Sequence, residues 1–444
     1  MPPRDGPPYR GGMSNGDGTG SEAAYRQGRD VEIRPITEEE IPAWCKALRL
    51  GFLRPHIADA SELVRRQFLP GRLLAAFDGV PEPRMVATFR SFDTELTVPG
   101  GATVRADAVT SVTVTSTHRR RGLLRALMGR DLDAARERGT AVAILVAAEY
   151  TIYGRYGFGP ATRQHGWTVD LNRAGGLRAG LPESPGGRTD FADMASVREL
   201  GPELHDRWRL TQPGAIARPP LWWDLRTGGV TSPGGTWKEP FTALHRDAGG
   251  TVTGLVTYRV EDVWEGGAPN CVLTVADFLA LDAGTATALW RLVLSVDWVR
   301  KVVVESIGPD DPLPLLLNNP RAASPHEENA DFMWLRVLDV PAAFGARTYA
   351  APGRVVLEVD DPLGHAQGRW ALETAADGTG RCTATDDVPD LLLGVGALGS
   401  LYLGAETAPR LAAAGLVVEA RPGAAAAADL LLRTPLKAWN PDIF

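Results

Sequence analysis

The segment of this chain best suited to chemistry runs Val112-Thr113-Val114-Thr115-Ser116-Thr117-His118-Arg119-Arg120-Arg121-Gly122-Leu123-Leu124. It reads as the end of a strand, a tight basic turn and the start of a long helix. The first N–H groups of a helix have no intrahelical partner, and the helix dipole adds positive potential at that end. Arg119, Arg120 and Arg121 supply full charges, and Gly122 lets the backbone approach a diphosphate closely. Val112, Thr113 and Val114 offer a strand edge on which an extended, amide-bearing arm such as pantetheine can hydrogen-bond. These are the needs of an acyl carrier built on a nucleotide. The competing reading is a basic, solvated turn before an ordinary surface helix. His118 has the chemistry of a general base, but at this place it reads more simply as a turn residue facing solvent or backbone.

The flanking pattern supplies the scaffold. Val31 to Arg34 alternates as a short strand, and Thr37 with Glu40 makes a capping box that opens a helix toward Phe52. A second helical pattern follows Ser61. Leu73–Phe77 and Met85–Phe92 read as strands around an Asp78-Gly79 turn, and Thr94–Val98 and Ala108–Thr115 as strands around Pro99-Gly100-Gly101. Arg121–Arg138 is an amphipathic helix burying Leu124, Leu127, Leu132 and Ala135, and Ala141–Ala147 is an apolar run suited to a buried parallel strand. An antiparallel meander closed by a strand–helix–strand unit is legible here.

Beyond the Gly/Pro-rich break at Leu181–Gly187 the same order recurs. Phe241–His245, Val252–Val260 and Val272–Leu281 read as strands, Thr285–Trp298 as a helix and Lys301–Glu305 as a strand. This second unit carries Leu281-Asp282-Ala283-Gly284-Thr285 where the first has its basic turn, so a duplicated unit would lack the phosphate cradle. A third pattern starts at Pro341: a helix to Ala346, strands at Arg354–Val359 and Arg369–Glu373, and helices near Pro389 and Pro409. The chain stays apolar to its last residue, Phe444, which suggests a docked end.

Composition narrows the class. At 444 residues, 44% hydrophobic and 23% charged, the chain is a multidomain globular protein. A net charge of −7 argues against nucleic-acid binding, which needs a basic footprint. Cys45, Cys271 and Cys382 are scattered, with neither a disulfide framework nor zinc-site spacing, as expected in a reducing, cytoplasmic setting without a metal. Residues 1–30 lack an apolar core and read as a disordered tail. The most apolar stretch, Leu391–Ala405, is too short and too glycine-rich to cross a membrane.

Arg119-Arg120-Arg121-Gly122 resembles the opening half of motif A of the GCN5-related N-acetyltransferases, R/Q-x-x-G-x-G/A, with Leu124 at the second small position. A closer resemblance is carried by Thr117 through Arg125, by Ile152-Tyr153-Gly154-Arg155-Tyr156-Gly157-Phe158-Gly159-Pro160-Ala161-Thr162, by Asp311-Pro312-Leu313-Pro314 and by Leu398-Gly399-Ser400-Leu401-Tyr402-Leu403-Gly404-Ala405. In that order these blocks resemble the enhanced-intracellular-survival (Eis) acetyltransferases, over the chain from about Val31 to Phe444. The resemblance implies an α/β (α+β) chain. A catalytic GNAT fold occupies residues 31–178, a degenerate second copy 179–336, and a sterol-carrier-protein-like domain 337–444. It also implies a homo-hexamer that uses acetyl-CoA to acetylate amines on aminoglycosides and other cationic molecules.

Site roles follow from the same resemblance. Tyr153 matches the general acid that protonates the departing CoA thiolate, and the terminal carboxylate of Phe444 matches the general base. Acetyl-CoA contacts fall on Val112, Thr113, Val114, Arg120, Arg121, Gly122, Leu123, Leu124, Arg125, Ala148 and Glu149. Many members have a Ser where Ala148 stands. Proton transfer from a phenol (pKa about 10) to a thiolate (about 8.5) is uphill by only ~2 kcal/mol, whereas an α-carboxylate is a weak base that needs desolvation or a relaying water. Ile443 and the Phe52-Leu53-Arg54-Pro55-His56 stretch lack the acids that hold aminoglycoside ammonium groups in the family, which leaves a small amine, a peptide or a lysine side chain open as acceptor. The rival reading is a lipid carrier with a vestigial transferase site.

Overall fold

The computed structural model describes residues 31–57, 60–79, 83–326 and 330–444; the tail expected at 1–30 lies outside them. The first unit runs β1 (Val31–Pro35), α1 (Ile41–Gly51), α2 (Ala60–Arg66), β2 (Leu73–Asp78), β3 (Arg84–Thr97), β4 (Thr103–Val114), α3 (Leu123–Glu137), β5 (Val142–Val146) and α4 (Tyr150–Tyr153). The expected capping box forms, with the Glu40 carboxylate accepting the Thr37 N–H at 2.9 Å. Strands β1 to β4 pair antiparallel in sequence order, and β5 lies parallel to β4.

Two expectations are corrected here. β3 is one strand where the sequence predicts two, and β4 begins at Thr103 instead of Ala108. Asp93 and Asp107 look like strand breakers but have distant partners. Arg72 bonds Asp93 at 2.9 Å and also reaches Asp107, which Arg138 meets at 2.9 Å. Asp107 is fully buried, and desolvation together with the neighbouring Asp131 drives its carboxyl well above the usual range. Between these acids Leu96, Val98, Val104, Ala106 and Ala108 turn their side chains into a core shared with the third unit.

The second sheet is ordered Ala323–Pro325, Trp167–Asp170, Val299–Val304, Cys271–Ala280, Val252–Glu261, Phe241–Arg246, Arg188–Phe191. It repeats the antiparallel meander and the single parallel pair of the first. The two sheets exchange strands with the chain between them. Met333–Val337 lies antiparallel to β5 in the first sheet, and Trp167–Asp170 lies antiparallel to Val299–Val304 in the second. The helix of the second unit spans Ala283–Leu294, shorter than predicted. Asp282 caps it, accepting the Thr285 N–H at 2.8 Å. An internal carboxylate thus occupies the helix terminus where the first unit leaves N–H groups free. The Trp208, Trp222, Trp223 and Trp237 cluster belongs to the core of this unit.

In the third unit the predicted helix near Pro389 is instead a strand, Leu391–Gly394, followed by a helix, Val395–Tyr402. The strand lies parallel to Gly353–Asp360 at the centre of a five-stranded sheet. The apolar stretch is therefore a sheet strand and a buried helix. Among the described residues no helix is long and apolar enough to cross a membrane.

Arg336 and Asp361 join this unit to the first through a fully buried ion pair with contacts of 2.8 Å. Arg336 also donates to the Tyr156 carbonyl at 2.7 Å. Removing one partner of a buried pair strands the other charge. Asp361→Ala is expected to lower the unfolding free energy by about 3–5 kcal/mol in denaturant titrations, and Asp361→Asn, which keeps an acceptor for the guanidinium, by less.

Candidate active site

The site originates in a backbone irregularity. β4 pairs with β5 from Ala106↔Val142 to Val109↔Leu145, and the pairing then ends. Just beyond, Ser111 and Val112 together face Phe89 of β3, a bulge in which Ser111 takes a φ of 55°. A bulge bends its strand and sharpens the local twist. The rest of β4 leans away from β5, which is paired along its other edge with Met333–Val337. The bulge is secured from β3, where the Thr88 hydroxyl lies 3.0 Å from the Ser111 carbonyl and 2.7 Å from the Thr113 hydroxyl. Gly51 at the end of α1 packs directly on Thr113, where a Cβ would collide with the threonine side chain.

A cavity of about 1270 Å³ fills the opening between the two strands. It is lined by Val112, Thr113, Val114, Arg120, Gly122, Leu123, Leu124, Arg125, Ala148, Glu149, Tyr153 and Phe444, all of them candidates from the sequence. Arg121 is the exception. It is solvent-exposed outside that lining, on the side where its charge reaches Asp78. Leu124 packs against the α3 core and also lines the cavity, and Met128 and Asp131 are buried beside the expected Leu127, Leu132 and Ala135. Gly122 caps α3 with a φ of 79°, and a Cβ built there would meet nothing within 4 Å, so the helix terminus is open to a ligand. Arg120 also has positive φ, 63°, a conformation in which successive turn N–H groups can line an anion site.

His118 does not face solvent. It is buried, with Nε2 at 2.7 Å from the Asp78 carboxylate and Nδ1 at 2.8 Å from the Thr117 hydroxyl, so it braces the turn while also contributing to the cavity lining.

Tyr153 closes α4 and is buried, its ring edge-on to Phe158 at 6.4 Å. Its hydroxyl has no hydrogen-bond partner among the described residues. Burial, reinforced by the Glu149 carboxylate, raises its pKa above the usual phenol value, so the proton stays on through neutral pH. In the same cavity lining, the terminal Phe444 accepts a hydrogen bond from the Thr110 hydroxyl at 3.0 Å, and its ring meets Phe92 edge-on at 6.0 Å. Thr110 and Phe92 carried no sequence signal, because both act only on a residue more than 300 positions away. Also unforeseen are Pro362 and Leu363, which reach the cavity from the third unit, and Arg155; Arg119, read in the sequence as one charge of the basic turn, lines it too.

Comparison with known proteins agrees with this geometry. Residues 32–161 match one acetyltransferase (GNAT) domain family, residues 214–337 another, and residues 340–441 a sterol carrier protein domain. N-acetyltransferase Eis of Mycobacterium tuberculosis is 36% identical, covering 86% of this chain and 92% of its own. The chain belongs to the Eis family of GCN5-related N-acetyltransferases. An uncharacterized N-acetyltransferase of Streptomyces avermitilis is 47% identical over 94% of this chain and 99% of its own. The crystal structure of Eis1 from Mycobacterium abscessus superimposes with a TM-score of 0.81 at 32% identity, covering 93% of this chain and all of that one. This Eis-family protein is therefore an acetyltransferase with two GNAT domains followed by a sterol-carrier-like domain, and its family implies acetyl-CoA as donor. No group of three or more His, Cys, Asp or Glu residues among those described is arranged to hold a metal.

The split between Arg120 and Arg121 is testable by calorimetry. Arg120→Ala is expected to weaken acetyl-CoA binding by about 1.5–3 kcal/mol, the loss of one charge-assisted hydrogen bond, while Arg121→Ala leaves it nearly unchanged. Equal losses at both positions would mean that the turn closes differently around the donor.

Proposed function

We propose that this acetyltransferase moves the acetyl group of acetyl-CoA to an amine of a cationic small molecule or a lysine side chain, with Tyr153 as general acid and the Phe444 carboxylate as general base. The observation that supports it best is the presence of both groups in the lining of one cavity that opens at a split between parallel strands. The amine nitrogen attacks the thioester carbonyl carbon. The C–S bond breaks, the leaving thiolate takes the Tyr153 proton, and the new ammonium nitrogen gives its proton to the terminal carboxylate, directly or through water. Val112, Thr113 and Val114, whose pairing with β5 has ended, are free to hydrogen-bond the pantetheine arm. Arg120, Gly122, Leu123, Leu124 and Arg125 offer the diphosphate a helix terminus and charge, and Ala148 and Glu149 line the β5 side. Glu149 and the terminal carboxylate attract a cationic acceptor, aminoglycoside-like or other.

The raised pKa of Tyr153 keeps its proton in place through neutral pH and makes full transfer to the thiolate more uphill, so the proton must move as charge develops on sulfur. The carrier reading gains no support from the third unit, whose centre is filled by Phe344, Tyr402 and Val359. The hexameric assembly and cytosolic setting implied by the family belong to this proposal.

Two variants test the chemistry together. Tyr153→Phe keeps the ring and its packing and should lower kcat by about 10²–10⁴ with acetyl-CoA affinity intact. A protein with an amidated C-terminus keeps the Phe444 ring and should lose turnover without losing stability. An amidated protein with native kcat would rule out the terminal base and direct attention to Glu149. Sedimentation at micromolar concentration tests assembly: a mass of six chains is expected, and a fully active monomer would overturn it.

A further inference from the structure

The second GNAT unit repeats the geometry that opens the first. Its central strand, Cys271–Ala280, runs parallel to Val299–Val304 from Cys271↔Val299 to Val275↔Val304. Immediately afterwards its register against Val252–Glu261 slips, with Tyr258 opposite Val275 and Thr257 opposite Asp277, which leaves Ala276 as the extra residue. By strand order this is the place of the Ser111 bulge, where β4 leaves β5. In the first unit the gap beyond the bulge is the cavity. In the second, the residue next past the bulge is Asp277, and it is engaged from within the protein.

The guanidinium of Arg218 bonds both oxygens of Asp277, at 2.8 and 3.0 Å, and its Nε bonds both oxygens of Asp442, at 3.1 and 3.0 Å. The same group lies over the Trp222 ring at 3.8 Å. Both the Arg218 and Asp442 side chains are almost wholly buried. Planar, two-sided recognition of two carboxylates is what arginine does and lysine cannot. Arg218 is in turn fixed to the first unit. The loop before it pairs with the end of β3, through Ala217 N–H to the Glu95 carbonyl at 3.1 Å and Thr97 N–H to the Ala215 carbonyl at 2.9 Å. That same strand carries Phe92, against which Phe444 packs.

The tail that reaches Arg218 is buried at Trp439 and Asn440, and the clamp holds the stretch beyond them. Trp439 donates its N–H to the Pro213 carbonyl at 2.9 Å and meets the Trp208 ring edge-on at 5.7 Å. The Asn440 amide donates to the Asp442 carbonyl at 2.8 Å. Beyond Asp442 only Ile443, which is exposed, and Phe444 remain.

We infer that Arg218 is a positioning residue for the reaction, and that the gap of the degenerate GNAT unit now serves as a clamp on Asp442 that sets the terminal carboxylate at Thr110 in the active cavity. With the clamp closed, two residues separate a rigid anchor from the reacting oxygen. With it open, the free end begins beyond Asn440, and the carboxylate spends most of its time elsewhere. Effective concentration at a fixed site falls as the tether to it lengthens. This inference rests on the reading of Phe444 as the base.

The test uses the full-length protein and two near-isosteric variants, Asp442→Asn and Asp277→Asn. Each removes one charge from the clamp and retains a hydrogen-bond acceptor; the second serves if the first folds poorly. Two quantities are read. One is the rate at which carboxypeptidase A, which cleaves terminal aromatic residues, releases Phe444. The other is kcat with acetyl-CoA and an accepted amine, beside the acetyl-CoA KM. Release is expected to rise at least tenfold, and kcat to fall about tenfold with KM unchanged, a split that general destabilisation would not give. Native release and native kcat in both variants would overturn the clamp. Faster release with native kcat would leave the clamp standing as a tail anchor and overturn the terminal-base reading on which its catalytic role depends.

Discussion

The whole site depends on the separation of two parallel strands. β4 and β5 hydrogen-bond as far as Val109 and Leu145 and then part, because Ser111 takes a left-handed conformation that adds a residue to β4. A parallel pair that continued would leave no room for a cavity and no unpaired edge for an extended arm. Such a gap would normally be costly, since unpaired backbone groups in a sheet interior lose hydrogen bonds that water cannot restore. Part of that cost is met on the β4 side, where the Thr88 hydroxyl bonds the Ser111 carbonyl, while β5 is paired along its other edge with Met333–Val337, a strand from more than 180 residues away. What stays unpaired on β4 faces the cavity and is available to a ligand.

The parts of this arrangement that were legible in the sequence are the local ones. The basic turn, Gly122 and α3 follow each other within a few residues, and their roles derive from helix-terminus physics that requires no tertiary context. The apolar run of β5 and the meander before it are legible for the same reason. What could not be read depends on distant partners. Asp107 looks like the end of a strand until Arg72 and Arg138 are seen on either side of it. His118 looks like an exposed turn residue until Asp78, on the neighbouring hairpin, is found behind it. Leu391–Gly394 gives no alternation in residue type because Leu392, on the half-exposed face, is as apolar as the buried Leu391 and Leu393, so its apolar run could be strand or helix. Tyr153 and Phe444 were named by family resemblance alone. Nothing in their local spacing puts a tyrosine at the end of a four-residue helix and the chain terminus into one cavity.

The division of labour among the three units follows from the same constraint. A gap in a sheet gives the first unit a place for the donor but does not provide the far wall. That wall is assembled from elsewhere: Pro362 and Leu363 from the third unit, and the terminal segment that ends in Phe444. Arg336 is central to this assembly. Fully buried, it holds Asp361 of the third unit and the Tyr156 carbonyl of the first in one grip, so the loop carrying Leu363 and the turn that follows Tyr153 keep a common position. Gly157, next along that turn, leaves room for the guanidinium that any side chain would fill.

The two GNAT units then show how one backbone device can serve opposite ends. At the helix that follows the central strand, the first unit presents Arg120 and an uncapped Gly122, whereas the second presents Asp282, which satisfies the helix N–H groups itself. At the bulge, the first unit leaves its strand edge open, whereas the second places Asp277 there and neutralises it with Arg218. Both changes substitute an internal charge for the charge a ligand would bring. An anion approaching the second unit's helix would meet the Asp282 carboxylate there, which disfavours a diphosphate by electrostatics. A charge that has to be neutralised from within requires a rigid partner. Rigidity at that point is what the chain terminus would need for the terminal-base role proposed above.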